Sequence, residues 1–271
     1  MYKIAKFQLL LYSNFSNMQR SNLSQKTYKD LRSTVVDIAI LPWGATEPHG
    51  YHLPYGTDIY ESKGISFRAA ELASDRGVSS IVLPCIPYGV QNEGQRNIPG
   101  CINIRPTTQL AILVDIATSL MGQSIQKLVI INSHGGNDFK FAIRELQLTF
   151  PDMLIVAVDW WRHPVVKQIF DDPGDHAGAL ETSVMMYIKP ELVTSMDEAG
   201  SGRSVGFSID ALNEGWAWTP RDWSKVSEDT GVGDPRSASH ELGKAVVDAI
   251  TNDIAKLVER LASDANIYQK F

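Results

Sequence analysis

The sequence predicts an α/β protein of three layers, α/β/α, with a mostly parallel sheet between two layers of helices. Short apolar runs at residues 35–41, 80–84, 127–131 and 154–158 have the length and composition of buried strands. Each run is followed by a segment in which apolar residues recur at helical spacing. Successive strand-to-helix units imply right-handed crossovers, which make neighbouring strands parallel.

The first elements follow from caps and stop signals. Residues 1–22 show no clean period and are predicted to be an N-terminal arm, after which Ser24 caps a predicted short helix over residues 24–32. The first strand is expected to stop at Pro42 and Gly44. A longer helix over residues 59–76 carries apolar residues at helical spacing.

The second strand leads into a long loop over residues 90–105 that is rich in Gly, Asn and Pro. A loop of this length in a compact domain is usually functional. Thr107 or Thr108 then caps a predicted helix that ends at Gly122. The third strand is continuously apolar, as expected for a parallel strand covered on both faces.

The remaining elements complete the cover of the sheet. A helix that begins at Asn137 or Asp138 must end before Pro151. A further helix is predicted over residues 182–188. The last helix, residues 238–261, has apolar residues every three to four positions and is predicted to be an amphipathic cover for the core.

Composition narrows the class of function. The chain has 271 residues, of which 44% are hydrophobic, so residues 23–271 can form one domain with a large core. A net charge of −6 without a long basic run argues against nucleic-acid and anionic-membrane partners and favours a small-molecule substrate. The two cysteines are too few for a disulfide framework, and no apolar run can span a bilayer. We therefore expect a cytoplasmic protein.

Side chains that can bind a metal ion follow the first strand. Glu47 and His49 stand two apart, which in extended backbone places both on one face, and Asp58 follows a Pro- and Gly-rich loop that can fold back toward them. Two carboxylates and an imidazole can hold a divalent cation. The plainer alternative for so short a motif is a solvated loop.

A histidine in a Gly-rich turn ends the third strand. Because the carboxyl ends of parallel strands share one edge of the sheet, His134 and Trp160 are expected to converge with the side chains that follow the first strand. The alternative is a turn that cradles phosphate, although residues 133–136 lack the P-loop Lys and the dinucleotide Gly spacing.

Three segments taken together resemble the creatininase (creatinine amidohydrolase) family. They are residues 44–58, with the motifs GATEPHG and LPYGTD, residues 132–137, NSHGGN, and residues 176–183, HAGALETS. Pro99-Gly100 in the long loop also fits, and the similarity runs from about residue 25 to 262 in the same order and spacing. The resemblance implies a three-layer creatininase-like fold, a homo-oligomer that is often hexameric, and two adjacent divalent ions such as zinc, manganese or iron.

The resemblance also implies roles for individual residues. Glu47, His49, Asp58 and His134 match the family's metal ligands, with Asp58 between the two ions. His176 and Glu181 are then candidates for proton transfer and its orientation. Two questions stay open, because Glu181 can instead complete the second ion's ligands and His176 can merely cap the next helix.

The implied activity is hydrolysis of a C–N amide bond in a small cyclic amide or formamide by a metal-activated water. A carboxylate shared between two cations holds them about 3.5–4 Å apart and lets a bridging water ionise near neutral pH. The rival from another class is a non-catalytic metal- or nucleotide-binding α/β protein on the same scaffold.

Three departures from the family pattern limit which substrates the resemblance can imply. Creatininase itself has a glutamate ligand where this chain has Gly136, so creatinine is disfavoured. Ala179 stands where many members have an acidic residue, and Pro48 replaces a common glutamine.

Several tryptophans are candidates for substrate contact or packing. Trp160 and Trp161 follow a strand end, where one ring can stack on a flat heterocycle, and core packing is the equal alternative. Trp216, Trp218 and Trp223 are predicted to serve packing or subunit contacts, within a polar stretch over residues 198–237 that can form a lid.

Overall fold

The computed structural model describes residues 20–263 and 267–268. In this part of the chain the sheet has four strands, which are all parallel and lie in the order β2-β1-β3-β4. The strands are β1 Ile38–Trp43, β2 Ser80–Val82, β3 Lys127–Asn132 and β4 Leu154–Asp159. The helices are α1 Tyr28–Leu31, α2 Thr57–Ser74, α3 Pro106–Gly122, α4 Phe139–Thr149, α5 Val166–Ile169, α6 Ala179–Ile188, α7 Asp210–Asn213, α8 Trp223–Val226 and α9 His240–Ser263.

The predicted α/β fold is confirmed, with one layer of helices on each face of the sheet. Alternate residues of β1 enter different cores: Ile38 and Ile40 pack with α2, α6 and α9, whereas Ala39, Leu41 and Trp43 pack with α3 and α4. Both faces of the central strands are therefore apolar, which explains why the strands read as unbroken apolar runs.

Pro42 does not stop the first strand, but Gly44 does. β1 continues through Pro42, whose carbonyl accepts a hydrogen bond from Ile86 N at 3.1 Å, and ends at Trp43, directly before Gly44. The predicted helix over residues 24–32 is interrupted. Thr27 and Asp30 form a capping box that starts α1 afresh, after a separate turn of 3₁₀ helix at Leu23–Gln25.

Two helices begin earlier than predicted, and both differences matter for the site. α2 begins at Thr57 instead of residue 59, which places Asp58 in its first turn. α6 begins at Ala179 instead of residue 182, which places Glu181 in its first turn. Glycines at the two N-cap positions, Gly56 and Gly178, carry no side chain that would signal a helix start in the sequence.

The predicted N-terminal arm lies largely outside the described residues, which begin at residue 20. At its end, Ser21 is buried and its carbonyl accepts a hydrogen bond from Val82 N at 2.7 Å. A bridge between Asn22 and Val82 continues this contact along β2. Within the described residues, no helix is long and apolar enough to cross a membrane.

The close packing of α9 on α6 depends on Gly243, where an added Cβ would collide with the backbone carbonyl of Ser183. We expect Gly243→Ala to destabilise the fold by about 1–3 kcal/mol, since a backbone atom cannot move aside as a flexible side chain can. Gly122→Ala at the end of α3 is the matched control, because nothing lies within 4 Å of its added Cβ. Denaturant unfolding of both variants tests this, and equal effects would contradict it.

Candidate metal centre

Six residues predicted for the site meet at the carboxyl edge of the sheet. Loops after β1 and β3 supply three of them, the first turns of α2 and α6 supply two, and the loop before α6 supplies one. Five are buried and Glu181 is partly exposed. The six are Glu47, His49, Asp58, His134, His176 and Glu181.

Their polar atoms form three overlapping groups among the described residues, and two of these groups share Asp58. In the first group, His134 Nδ1 lies 3.0 Å from Glu47 Oε1 and 3.2 Å from Asp58 Oδ2. In the second group, His49 Nε2 lies 2.9 Å from Asp58 Oδ1 and 4.0 Å from Glu181 Oε2. Each group offers three ligand atoms within 4.8 Å of one another, which suits a cation. The two oxygens of Asp58 thus face different groups.

Apart from the close contacts just described, several of these buried atoms have no hydrogen-bond partner among the described residues. Both carboxylate oxygens of Asp58 and the Nε2 atom of His49 make no hydrogen bond there. Buried polar atoms are costly unless they are paired or coordinate a metal. Oxygen and imidazole donors are ligands that zinc, manganese and iron accept, so the residues present fit a divalent cation.

Backbone carbonyls fix the orientation of the three histidine rings. The nitrogen remote from the carboxylates donates a hydrogen bond in each case: His49 Nδ1 to Glu47 O at 3.1 Å, His134 Nε2 to Val90 O at 2.9 Å and His176 Nε2 to Pro48 O at 2.8 Å. Because a carbonyl can only accept, these nitrogens carry the ring protons. The other nitrogen of each ring therefore faces the carboxylates, where it can exchange a proton or bind a cation.

The charges of the site favour cations. Burial disfavours the charged form of His49, but the Asp58 carboxylate, helped by Glu181 and Glu47, outweighs burial and raises the pKa of His49 to about 10. Against the same opposing effect of burial, Glu47 and Asp58 raise the pKa of His134 well above its ordinary value. The excess of buried negative charge must be balanced by protons or by a bound cation.

The creatininase family model, described as creatinine amidohydrolase, matches residues 21–258. This chain belongs to the creatininase family. The resemblance predicted from the three motifs is therefore confirmed, and with it membership in a family of metal-dependent hydrolases.

Two curated relatives and several solved structures extend the comparison. Mycofactocin precursor peptide peptidase of Mycolicibacterium smegmatis is 28% identical over 251 residues, 91% of this chain and 94% of that protein. Creatinine amidohydrolase of Pseudomonas putida is 24% identical over 260 residues, 87% of this chain and 95% of that protein. The crystal structure of a candidate creatinine amidohydrolase from Bacteroides fragilis is 45% identical with a TM-score of 0.87, covering 93% of this chain and 99% of that one.

A mutant creatininase has been solved in a Zn–Zn form, and creatininase in a Mn form. These structures are 23% and 22% identical to this chain, with TM-scores of 0.75 and 0.73, and each comparison covers 90% of this chain and 99% of the other. At this identity the likeness shows the shared fold.

The long loop of this family member closes over the first group. Gln95 is buried in the loop and its Nε2 donates a hydrogen bond to Glu47 Oε2 at 2.6 Å, which leaves Oε1 of Glu47 to face the histidines. Sequence reasoning missed Gln95 as an individual residue. Only the length of the loop indicated that it had a function.

The surroundings of Gly136 leave no room for a side chain. A Cβ at this position would collide with the Val90 carbonyl and lie 2.6 Å from His134 Nε2. Any side chain at this position would therefore displace the carbonyl that anchors His134. The loop of this chain occupies the space into which a glutamate would have to project.

The ring of His176 lies beside the centre and does not cap α6. It stacks on the ring of His49 at 4.2 Å between centroids, and its Nδ1 lies 3.8 Å from Glu47 Oε1. The next residue, Ala177, is in the left-handed region with φ 51°, and its N–H donates to Glu181 Oε2 at 2.5 Å. The loop before α6 therefore positions both His176 and Glu181.

The tryptophans divide between core, site wall and surface. Trp160 is 1% exposed and donates its Nε1–H to Ser133 Oγ at 2.8 Å, and Trp161 packs against the same core. This arrangement agrees with the packing alternative, and substrate contact by Trp160 or Trp161 stays a prediction. Trp216 and Trp218 are exposed, whereas Trp223 is buried with its ring 4.9 Å from that of His176.

The stretch predicted as a lid is bonded to the wall of the site. Val232 and His176 exchange two backbone hydrogen bonds, and Thr230 Oγ1 accepts one from Gly50 N at 3.0 Å. These contacts join the C-terminal part of the chain to the loop after β1. The end of the stretch therefore forms part of the site wall, and a lid over the site stays a prediction.

Proposed function

We propose that this protein hydrolyses a C–N amide bond in a small molecule, with two divalent cations held by the two groups that share Asp58. The observation that carries the proposal is the division of the Asp58 carboxylate, whose Oδ1 faces His49 while Oδ2 faces His134. Two relatives support the bond type, since creatinine amidohydrolase and a peptide peptidase both cleave amide C–N bonds.

The residues divide naturally between two cations. Glu47, Asp58 and His134 would hold one, and His49, Asp58 and Glu181 the other. Zinc, manganese or iron would suit these donors. When bound, such cations activate water as a nucleophile at neutral pH and stabilise negative charge on the carbonyl oxygen.

His176 is the residue that we assign to proton transfer. Its Nε2–H is held by Pro48 O, so only Nδ1 is available to exchange a proton. Nδ1 lies 3.8 Å from Glu47 Oε1, next to the centre, where it can accept a proton and then pass it to the leaving nitrogen. The ring of Trp223 packs edge-on against His176 and restricts its movement.

The substrate class that we propose is a small cyclic amide or formamide. Creatinine itself is disfavoured. Creatininase has a glutamate ligand at the position of Gly136, and in this chain no side chain fits there without displacing the loop that anchors His134. A cytoplasmic location and assembly into a homo-oligomer, with a hexamer as the family precedent, stay predictions.

A substrate screen tests the activity directly. Metal-free protein reconstituted separately with zinc, manganese and iron is assayed on creatinine, lactams, hydantoins, formamidopyrimidines and short peptides. We expect turnover of one class, abolished by chelation and restored by metal. Metal binding without turnover of any of these would instead support the non-catalytic metal- or nucleotide-binding alternative.

A further inference from the structure

A fourth carboxylate lies close to the centre and has no role in the two groups. Glu61 is in α2, three residues after Asp58, so both side chains project from the same face of the helix. Glu61 is 0% exposed, and neither of its carboxyl oxygens has a hydrogen-bond partner among the described residues.

The packing of α2 on α6 places Glu61 between the centre and the core. At one end of the contact, ligand atoms of Asp58 and Glu181 lie within 4.8 Å of each other. Two turns further on, Gly64 contacts Ile188, since an added Cβ would lie 2.9 Å from the Cδ1 atom of Ile188. Both helices therefore run in the same direction, and Glu61 is buried in the interface one turn below the centre.

No positive charge in the described structure offsets this carboxyl group. Burial raises the pKa of Glu61 well above its ordinary value, and the carboxylates of Glu181 and Asp58 raise it further. A buried carboxyl group without a partner destabilises a fold, and replacing it with an apolar residue of similar volume is often stabilising. Its presence beside a set of metal ligands requires a compensating interaction.

We propose that Glu61 loses its proton to solvent when cations bind and, as a carboxylate, strengthens cation binding at the group formed by His49, Asp58 and Glu181. The inference rests on the proposed function, in which two divalent cations bring four positive charges. Before any water ionises, the ligand carboxylates of Glu47, Asp58 and Glu181 provide three negative charges, and an ionised Glu61 offsets the remaining positive charge. In a buried site such a charge acts over several ångströms without direct contact.

Two variants separate the charge of Glu61 from its shape. In Glu61→Leu, chelator-treated protein is expected to melt about 2–4 °C higher, because an unpaired buried acid is replaced by an apolar side chain. Calorimetric titration with Zn²⁺ should show about 10–100-fold weaker binding in both Glu61→Leu and Glu61→Gln, since each removes the charge. The Gln variant keeps the shape of the side chain and covers the case in which the Leu variant folds poorly.

Ser66→Ala is the matched control, because Ser66 is also buried in α2 and its hydroxyl also lacks a partner, but it carries no charge. Its Zn²⁺ affinity should equal that of the wild type. Wild-type affinity in both Glu61 variants would overturn the inference while leaving the proposed function intact. A wild-type protein that binds no Zn²⁺ would refute the proposed function itself, and the inference with it.

Discussion

Asp58→Ala is expected to lose its bound metal and, with it, turnover by on the order of 10³-fold or more. Wild-type protein should carry between one and two divalent ions per chain, whereas this variant should carry almost none. The reason is that each oxygen of Asp58 serves a different group, so a single truncation removes a ligand from both. Elemental analysis of the purified proteins measures the effect.

Asp138→Ala provides the control for the loss of a carboxylate as such. Asp138 accepts a hydrogen bond from Lys140 N at 3.0 Å at the start of α4, and its substitution should cost about 1 kcal/mol of stability without loss of metal. If Asp58→Ala retained as much metal as wild type, Asp58 would have no place in the centre. The two-cation proposal would then be wrong.

Truncation of two histidines should separate binding from chemistry. His134→Ala is expected to lower metal occupancy, because His134 Nδ1 lies within 3.2 Å of both carboxylates of the first group. His176→Ala should keep nearly full occupancy and lower kcat by about 10²–10⁴-fold, the usual effect of removing a proton-transfer group. Both variants are assayed for metal content and kcat at saturating metal.

The geometry also permits a competing outcome. Ligand atoms of Glu47, His49 and His176 lie within 4.8 Å of one another, so His176 could itself bind a cation. Equal metal loss in His134→Ala and His176→Ala would establish that role, and unchanged activity in His176→Ala would leave it with no part in the reaction. His240→Ala, at a half-exposed histidine of α9, controls for the substitution itself.

The parallel sheet could be predicted from the sequence because strands buried on both faces are continuous apolar runs. Every predicted strand has a counterpart, and His134 follows the end of β3 as expected. Helix starts were harder to predict. Gly56 and Gly178 have no side chain to signal a cap, and the Thr27 capping box divides a segment that looks continuous in sequence.

Site residues were predictable only where a short motif contained them. Glu47, His49 and Asp58 lie within one stretch of chain, and the structure brings them together. Gln95 and Glu61 were missed for a physical reason, since their positions depend on how a long loop closes and on how α2 packs against α6. In sequence, Glu61 is indistinguishable from the solvent-facing glutamate of an ordinary helix.

The anchoring of three histidine rings by main-chain carbonyls bears on how this site tolerates sequence change. The carbonyls belong to Glu47, Val90 and Pro48, and an ordinary point substitution changes a side chain but leaves the carbonyl in place. Imidazole tautomers elsewhere are often set by a carboxylate, which one mutation can remove. Here the path of the backbone sets the tautomers. Residues that contact substrate can therefore change without altering the orientation of the rings.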